Sequence, residues 1–228
     1  MLLHQLVFLE GFLKKYPFSL MASLSFFSLT ALLANNLNAA ELTPYRGEPP
    51  RIALSDAERL RLEKFEPVYP PLIDEGNTGG GQAVFRVKAD PQTIWDVIAD
   101  FPNYPTFNKD LQKADYYKPK QGNFVYVKFG ATKFFYTVSW HVKHNYPMMK
   151  KGWGTWELDK SQTNDLSECI GFWRVDQVPG TNFTDVSYSV NLASEGAILN
   201  LFRGMLIKEG VQKATQWVKN EAEKRAGN

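Results

Sequence analysis

Ala89-Asp90-Pro91-Gln92-Thr93-Ile94-Trp95-Asp96-Val97-Ile98, followed after Ala99 by Asp100-Phe101-Pro102-Asn103-Tyr104-Pro105-Thr106-Phe107, is the stretch on which the fold turns. Asp90 has the short acceptor side chain that caps a helix, and Pro91 carries the fixed φ and missing N–H of a first-turn residue. Ile94, Trp95 and Ile98 then fall on one helical face, and Pro102 and Pro105 break the chain again. Just upstream, Ala83, Phe85, Val87 and Ala89 alternate with Arg86 and Lys88, the pattern of a half-buried strand. The order is therefore strand, short helix, aromatic and proline-rich break.

Downstream, apolar alternation predicts strands near residues 111–117, 123–129, 134–144, 149–158, 168–177 and 184–193, most of them separated by Gly, Pro, Asn or Asp. Such close spacing favours an antiparallel sheet. The period then changes. Ile198, Leu201, Phe202, Met205, Leu206, Val211, Ala214, Trp217 and Val218 recur at helical steps, which predicts one long amphipathic C-terminal helix with Lys208, Glu209, Lys213, Lys219 and Glu223 outward.

The Ala89 to Phe107 stretch resembles the opening of the polyketide cyclase, dehydrase and lipid transport group of START-like (SRPBCC) proteins, which includes the coenzyme Q-binding proteins. Phe172-Trp173-Arg174-Val175, Pro179-Gly180-Thr181 and Val186-Ser187-Tyr188-Ser189-Val190 resemble that group's last two strands, so the likeness covers residues 82–225. It implies an α+β, helix-grip fold: a curved antiparallel sheet of about seven strands around the C-terminal helix, with two short helices after the first strand. It also implies a cavity between sheet and helix that holds a lipid, quinone or polyketide-like molecule. A cyclase or dehydratase, and a protein-interaction module, are the alternative readings.

Alternation assigns the side chains that face such a cavity. On the strand from residue 134, Phe134, Tyr136, Val138, Trp140 and Val142 share the inner face, and Phe135, Thr137, Ser139 and His141 the outer one. By the same rule Val125, Val127 and Phe129, then Trp156 and Leu158, then Val186, Tyr188, Val190 and Leu192 face inward. For Trp173 and Arg174 alternation leaves the choice open, and the family pattern puts Trp173 inside. The ligand-lining set is thus Val125, Val127, Phe129, Tyr136, Trp140, Trp156, Trp173 and Tyr188, with Phe202, Met205 and Leu206 from the helix. The competing reading is that these residues fill a solid core.

Catalytic machinery is not legible. His141 and His144, three apart on one strand, point to opposite faces and are wrongly placed to share a metal. Cys169 is the only cysteine, and no serine stands in a nucleophile-elbow context. Glu157, Arg174 and Asp176 are the charged residues nearest the expected pocket walls and in a cyclase would polarise a carbonyl or move a proton; the stronger reading is that, like most charged residues on strands, they face solvent. Gly79-Gly80-Gly81 precedes a strand instead of joining a strand to a helix, which argues against a phosphate cradle and for a flexible joint. No metal or cofactor is expected.

Residues 1–40 read as a signal peptide: Lys14 and Lys15, the apolar run Phe18 to Ala34, then Asn38-Ala39-Ala40. A retained anchor over residues 18–34 is the rival. Residues 41–81 form a proline- and glycine-rich arm with one helix, begun by a capping box of Ser55 and Glu58 and stopped by Pro67, and suited to contact a partner or close over the cavity mouth. The domain proper is then 82–228. An exported chain with one cysteine has no intrachain disulfide, which suits a bacterial periplasm. Charge is nearly balanced, 26 basic against 24 acidic residues, so nucleic acid is not an expected partner. The expected partner is an apolar small molecule; Lys118, Lys120, Lys128, Lys143, Lys150 and Lys151 offer a basic patch for transient membrane contact, against the commoner reading of scattered solvated lysines.

Overall fold

The computed structural model describes residues 42–75, 78–133, 136–146, 151–193 and 210–227. Residues 1–40, on which the signal-peptide expectation falls, Phe134, the side chain of Tyr136, and Phe202, Met205 and Leu206 lie outside the described residues. So does the first half of the expected C-terminal helix, along with Lys150 and Lys208.

The arm contributes helix α1 (Asp56–Glu63), begun by the expected capping box: Ser55 N donates to Glu58 Oε2 at 2.8 Å and Glu58 N donates to Ser55 Oγ at 3.4 Å. Then follow β1 (Ile73–Glu75), β2 (Thr78–Val87), α2 (Pro91–Ile98), a 3₁₀ turn at Phe101–Asn103 and α3 (Tyr104–Phe107). The remaining strands are β3 (Leu111–Gln121), β4 (Phe124–Lys133), β5 (Tyr136–Asn145), β6 (Trp153–Leu158), β7 (Glu168–Gln177) and β8 (Thr184–Ala193). Helix α4 (Gly210–Arg225) closes the chain. All pairings are antiparallel, in the order β1-β2-β8-β7-β6-β5-β4-β3. The seven expected strands are present, joined at one edge by the three-residue β1.

The glycine run is a correction. Gly79, Gly80 and Gly81 are not a joint but part of β2, paired with Leu192, Asn191 and Val190 of β8. Gly79 and Gly80 also pair with Asp74 and Ile73 of β1. Ladder bonds hold all three on one edge and the first two on both, so low side-chain content does not become flexibility, and the strand expected from Gln82 begins at Thr78.

The short helices and the C-terminal helix cover the inner face of the sheet. Asp90 accepts from the N–H groups of Gln92 and Thr93 at 2.9 and 3.1 Å, fixing the start of α2. Helix α2 then buries Ile94, Trp95, Val97 and Ile98. The next turn is pinned by Tyr104, whose hydroxyl donates to the Ile98 carbonyl at 2.6 Å. Helix α4 packs beside α2 on the same face, with Val211, Thr215, Trp217, Val218 and Ala222 buried.

Strand β7 is buried on both faces over its first eight residues. Trp173 and Val175 lie inward in the core. On the outer face the arm covers it: Tyr45 packs edge-on to Phe172 with ring centroids 5.2 Å apart. Arg174 donates to Glu48 Oε1 at 2.8 Å and to the Pro49 carbonyl at 2.9 Å. Arg51 makes a bidentate pair with Asp176 at 2.8 and 3.1 Å. Residues 45–51 thus lie against the outer face of the sheet. Further along, Val68 bridges Val84 and the Tyr69 hydroxyl is 3.3 Å from Thr215 Oγ1 of α4.

Phe172 is fully buried under this strap. Phe172→Ala should cost about 3 kcal/mol, read as a lowered denaturation midpoint. It should also speed proteolysis within residues 42–54. An arm as resistant as that of the parent protein would show that the strap does not depend on this contact.

Candidate functional site

Between the inner face of the sheet, the Phe101 to Leu111 segment and α4 lies a cavity of about 150 Å³. Phe101, Tyr104, Asn108 and Leu111 form one side; Phe129 of β4 and Trp140, Val142 and His144 of β5 form another, extended by Tyr146. The floor is Trp156, Cys169, Trp173, Tyr188, Val190 and Leu192, and α4 contributes Gly210, Ala214 and Trp217. Among these described wall residues there is no Asp, Glu, Lys or Arg.

The rings form a connected set. Phe101 lies 4.6 Å from His144 and is stacked on Tyr146 at 5.8 Å. Phe129 stacks on Trp140 at 5.6 Å, and Trp156 on Tyr188 at 5.7 Å. Trp217 meets Tyr104 at 4.7 Å. Two glycines make this possible by close approach: a Cβ on Gly171 would lie 2.1 Å from the Trp156 ring and 2.3 Å from the Ser189 carbonyl oxygen, and one on Gly154 would lie 2.6 Å from the Tyr146 ring. Each ring packs directly against bare backbone at its glycine.

Burial keeps every ionisable group in the wall neutral at ordinary pH. It pushes the hydroxyls of Tyr104, Tyr146 and Tyr188 up, and the Cys169 thiol up to about 12. It lowers His144 to about 3, because a charged imidazole would lose its hydration with no partner in exchange. Both ring nitrogens of His144 and the Tyr146 hydroxyl are buried without a hydrogen-bond partner, as is Nε1 of Trp95, which packs against Tyr146.

Of the sequence-assigned lining residues, Phe129, Trp140, Trp156, Trp173 and Tyr188 meet in this wall. Val127 is buried in the core and Val125 packs against it, but neither reaches the wall. Alternation assigns the face correctly, while the reach of the side chain decides which residues touch the void. Glu157, Arg174 and Asp176 sit on the outer face, as charged strand residues most often do, and there they hold the arm or Lys143. They alternate with Trp156, Trp173 and Val175, so the inward choice for Trp173 sends them out. The arm residues that they hold are against the back of the sheet, away from the cavity. Of the expected lysine patch, Lys118 and Lys143 pair with Asp159 and Glu157.

His141 and His144 do face opposite ways. His141 is on the outer side, 3.2 Å from Asn164 Oδ1 and edge-on to Tyr117. His144, Tyr146 and Cys169 were not among the expected lining residues, although two further steps of the Trp140–Val142 alternation reach the first two. Phe101 and Tyr104 were legible only as a turn. Their approach to the void depends on how that turn docks against α4.

Residues 87–218, more than half of the chain, match the family described as polyketide cyclase/dehydrase and lipid transport. The chain belongs to this family. The match runs from the end of β2 into α4 and so takes in nearly all of the elements around the cavity. Solved structures agree on the fold. The Zhui aromatase/cyclase of Streptomyces sp. R1128 superposes with a TM-score of 0.54 at 16% identity, over 65% of this chain and 96% of that one. The protein TTHA0849 of Thermus thermophilus gives 0.53 at 14%, over 63% and 96%. The STAR-related lipid transfer protein of Xanthomonas axonopodis gives 0.50 at 14%, over 67% and 97%. Comparison with curated proteins finds no match.

Two outcomes follow from the wall's construction. The folded His144 pKa lies below the usual unfolded value near 6.5, so the unfolded chain binds the extra proton between about pH 6.5 and 3. Stability from this group is complete above that window and falls by about 1.4 kcal/mol per pH unit on acidification. Denaturation series should show the slope, and His144→Phe should reduce it. Gly171→Val should cost about 3 kcal/mol and alter the near-UV dichroism of the tryptophans; an unchanged spectrum would mean that Trp156 is not seated on Gly171.

Proposed function

We propose that this chain is an exported binding or carrier protein that encloses the apolar part of a neutral small molecule between its sheet and its C-terminal helix. The observation that carries the reading is the cavity wall, aromatic and aliphatic with a few neutral polar groups. Its volume suits about one aromatic ring or an alkyl segment of similar bulk. Apolar binding sites are usually lined in this way, with a small number of polar atoms that orient the ligand. A charged ligand would be stripped of water with no counter-charge among the described wall residues.

The same wall weighs against the cyclase or dehydratase reading. Such chemistry needs a group that exchanges a proton near neutral pH, and burial moves His144 and Cys169 several units away from it in opposite directions. The charged pairs sit on the outer face instead. Export rests on the leader-like composition of residues 1–40.

Native mass spectrometry with organic extraction, on protein purified from its own host, tests both parts. The expected result is a stoichiometric neutral, apolar passenger and an N-terminus at Glu41. A clean ligand-free mass would turn the reading toward an interaction role, and an intact Met1 in the membrane fraction would replace export with anchoring.

A further inference from the structure

His144 and Tyr146 are two residues apart on the cavity side of β5 and its continuation, with rings 5.1 Å apart. His144 is 4% exposed and Tyr146 7%. The imidazole nitrogens and the phenol oxygen are all buried without a partner, in a wall that is otherwise almost wholly apolar. Buried polar atoms in folded proteins are nearly always hydrogen-bonded, so three orphans on neighbouring side chains call for a missing partner. Their positions are not slack. Phe101 packs against both rings, Trp156 lies 5.9 Å from His144, and Gly154 gives Tyr146 its seat.

The inventory of donors and acceptors says what that partner is. A neutral imidazole offers one N–H donor and one nitrogen acceptor, and a phenol offers one donor and can accept. A carbonyl or ether oxygen only accepts, so it leaves the imidazole acceptor unmatched. A hydroxyl both donates and accepts, so it can donate to the bare imidazole nitrogen while accepting from the Tyr146 phenol; the imidazole N–H points away from that nitrogen and is left to a second acceptor. We propose that His144 and Tyr146 form a polar clamp for a single hydroxyl group on an otherwise apolar ligand, an alcohol or a phenol. The clamp rests on the cavity reading above and specifies its ligand class. His144, held neutral, supplies the acceptor that a protonated ring would lack.

An apolar cavity without the clamp would rank ligands by hydrophobicity, since a hydroxyl buried without a partner is penalised. The clamp reverses that order, and the reversal is the test. Binding of 4-propylphenol, 4-propylanisole and propylbenzene to the full-length protein should be measured by calorimetry. The phenol is expected to bind at least tenfold more tightly than propylbenzene, with the anisole close to the hydrocarbon. Tyr146→Phe, which keeps the ring and its stacking, and His144→Phe should each reduce the ratio of phenol to propylbenzene affinity to below threefold, whatever each does to propylbenzene binding itself. The His144 ¹⁵N resonances should shift with the phenol and not with propylbenzene.

Equal affinity for phenol and hydrocarbon, or a preference that survives both substitutions, overturns the clamp and leaves the cavity reading standing. A water bridging His144 and Tyr146 that stays in place in a crystal structure of the phenol complex overturns it too. If none of the three probes binds at millimolar concentration, the cavity reading itself fails, and the clamp with it.

Discussion

Burial of β7 on both faces is the constraint from which the rest of the structure follows. A sheet of this kind normally offers one face to the core and the other to water. Here the inner face supplies Trp173 to the cavity while the outer face carries Phe172 and Arg174, which need cover of their own. The proline-rich arm provides it, with an aromatic contact at Tyr45 and ion pairs through Glu48 and Arg51. A guanidinium left buried and unpaired would be strongly unfavourable, so the arm is bound to the fold's centre and not appended to its edge.

The cavity is the counterpart of that strap. Gly154 and Gly171 let Tyr146 and Trp156 come down close onto the sheet backbone, and the docking of Phe101, Tyr104 and Trp217 raises the opposite wall. Packing at crystal-like density would ordinarily fill such a gap. What remains open is lined by rings that support one another, which lets a void persist without collapse. The electrical character follows from the same burial: thiol, phenols and imidazole all stay uncharged.

Much of this was legible before any coordinates. The strands at 168–177 and 184–193 coincide with β7 and β8, because long alternating segments bounded by turn residues have little other choice. The Asp90–Pro91 start of α2 and the Ser55–Glu58 capping box were readable because capping is local chemistry. The glycine run misled for the complementary reason. Composition alone cannot register a strand pairing on each side, and Gly79 to Gly81 are held by partners more than one hundred residues away in β8.

The sequence by itself determined the order of the main elements, the inner face of β4, β5, β6 and β8 and the opposition of His141 to His144, since all three depend on backbone periodicity within a few residues. Only the tertiary structure decided which inward side chains reach the void and which stop short, as Phe129 does and Val127 does not. It alone placed Glu157, Arg174 and Asp176 under the arm, and left His144 and Tyr146 without partners in the cavity wall. These outcomes depend on distances between segments far apart in the chain, and alternation carries no information about them.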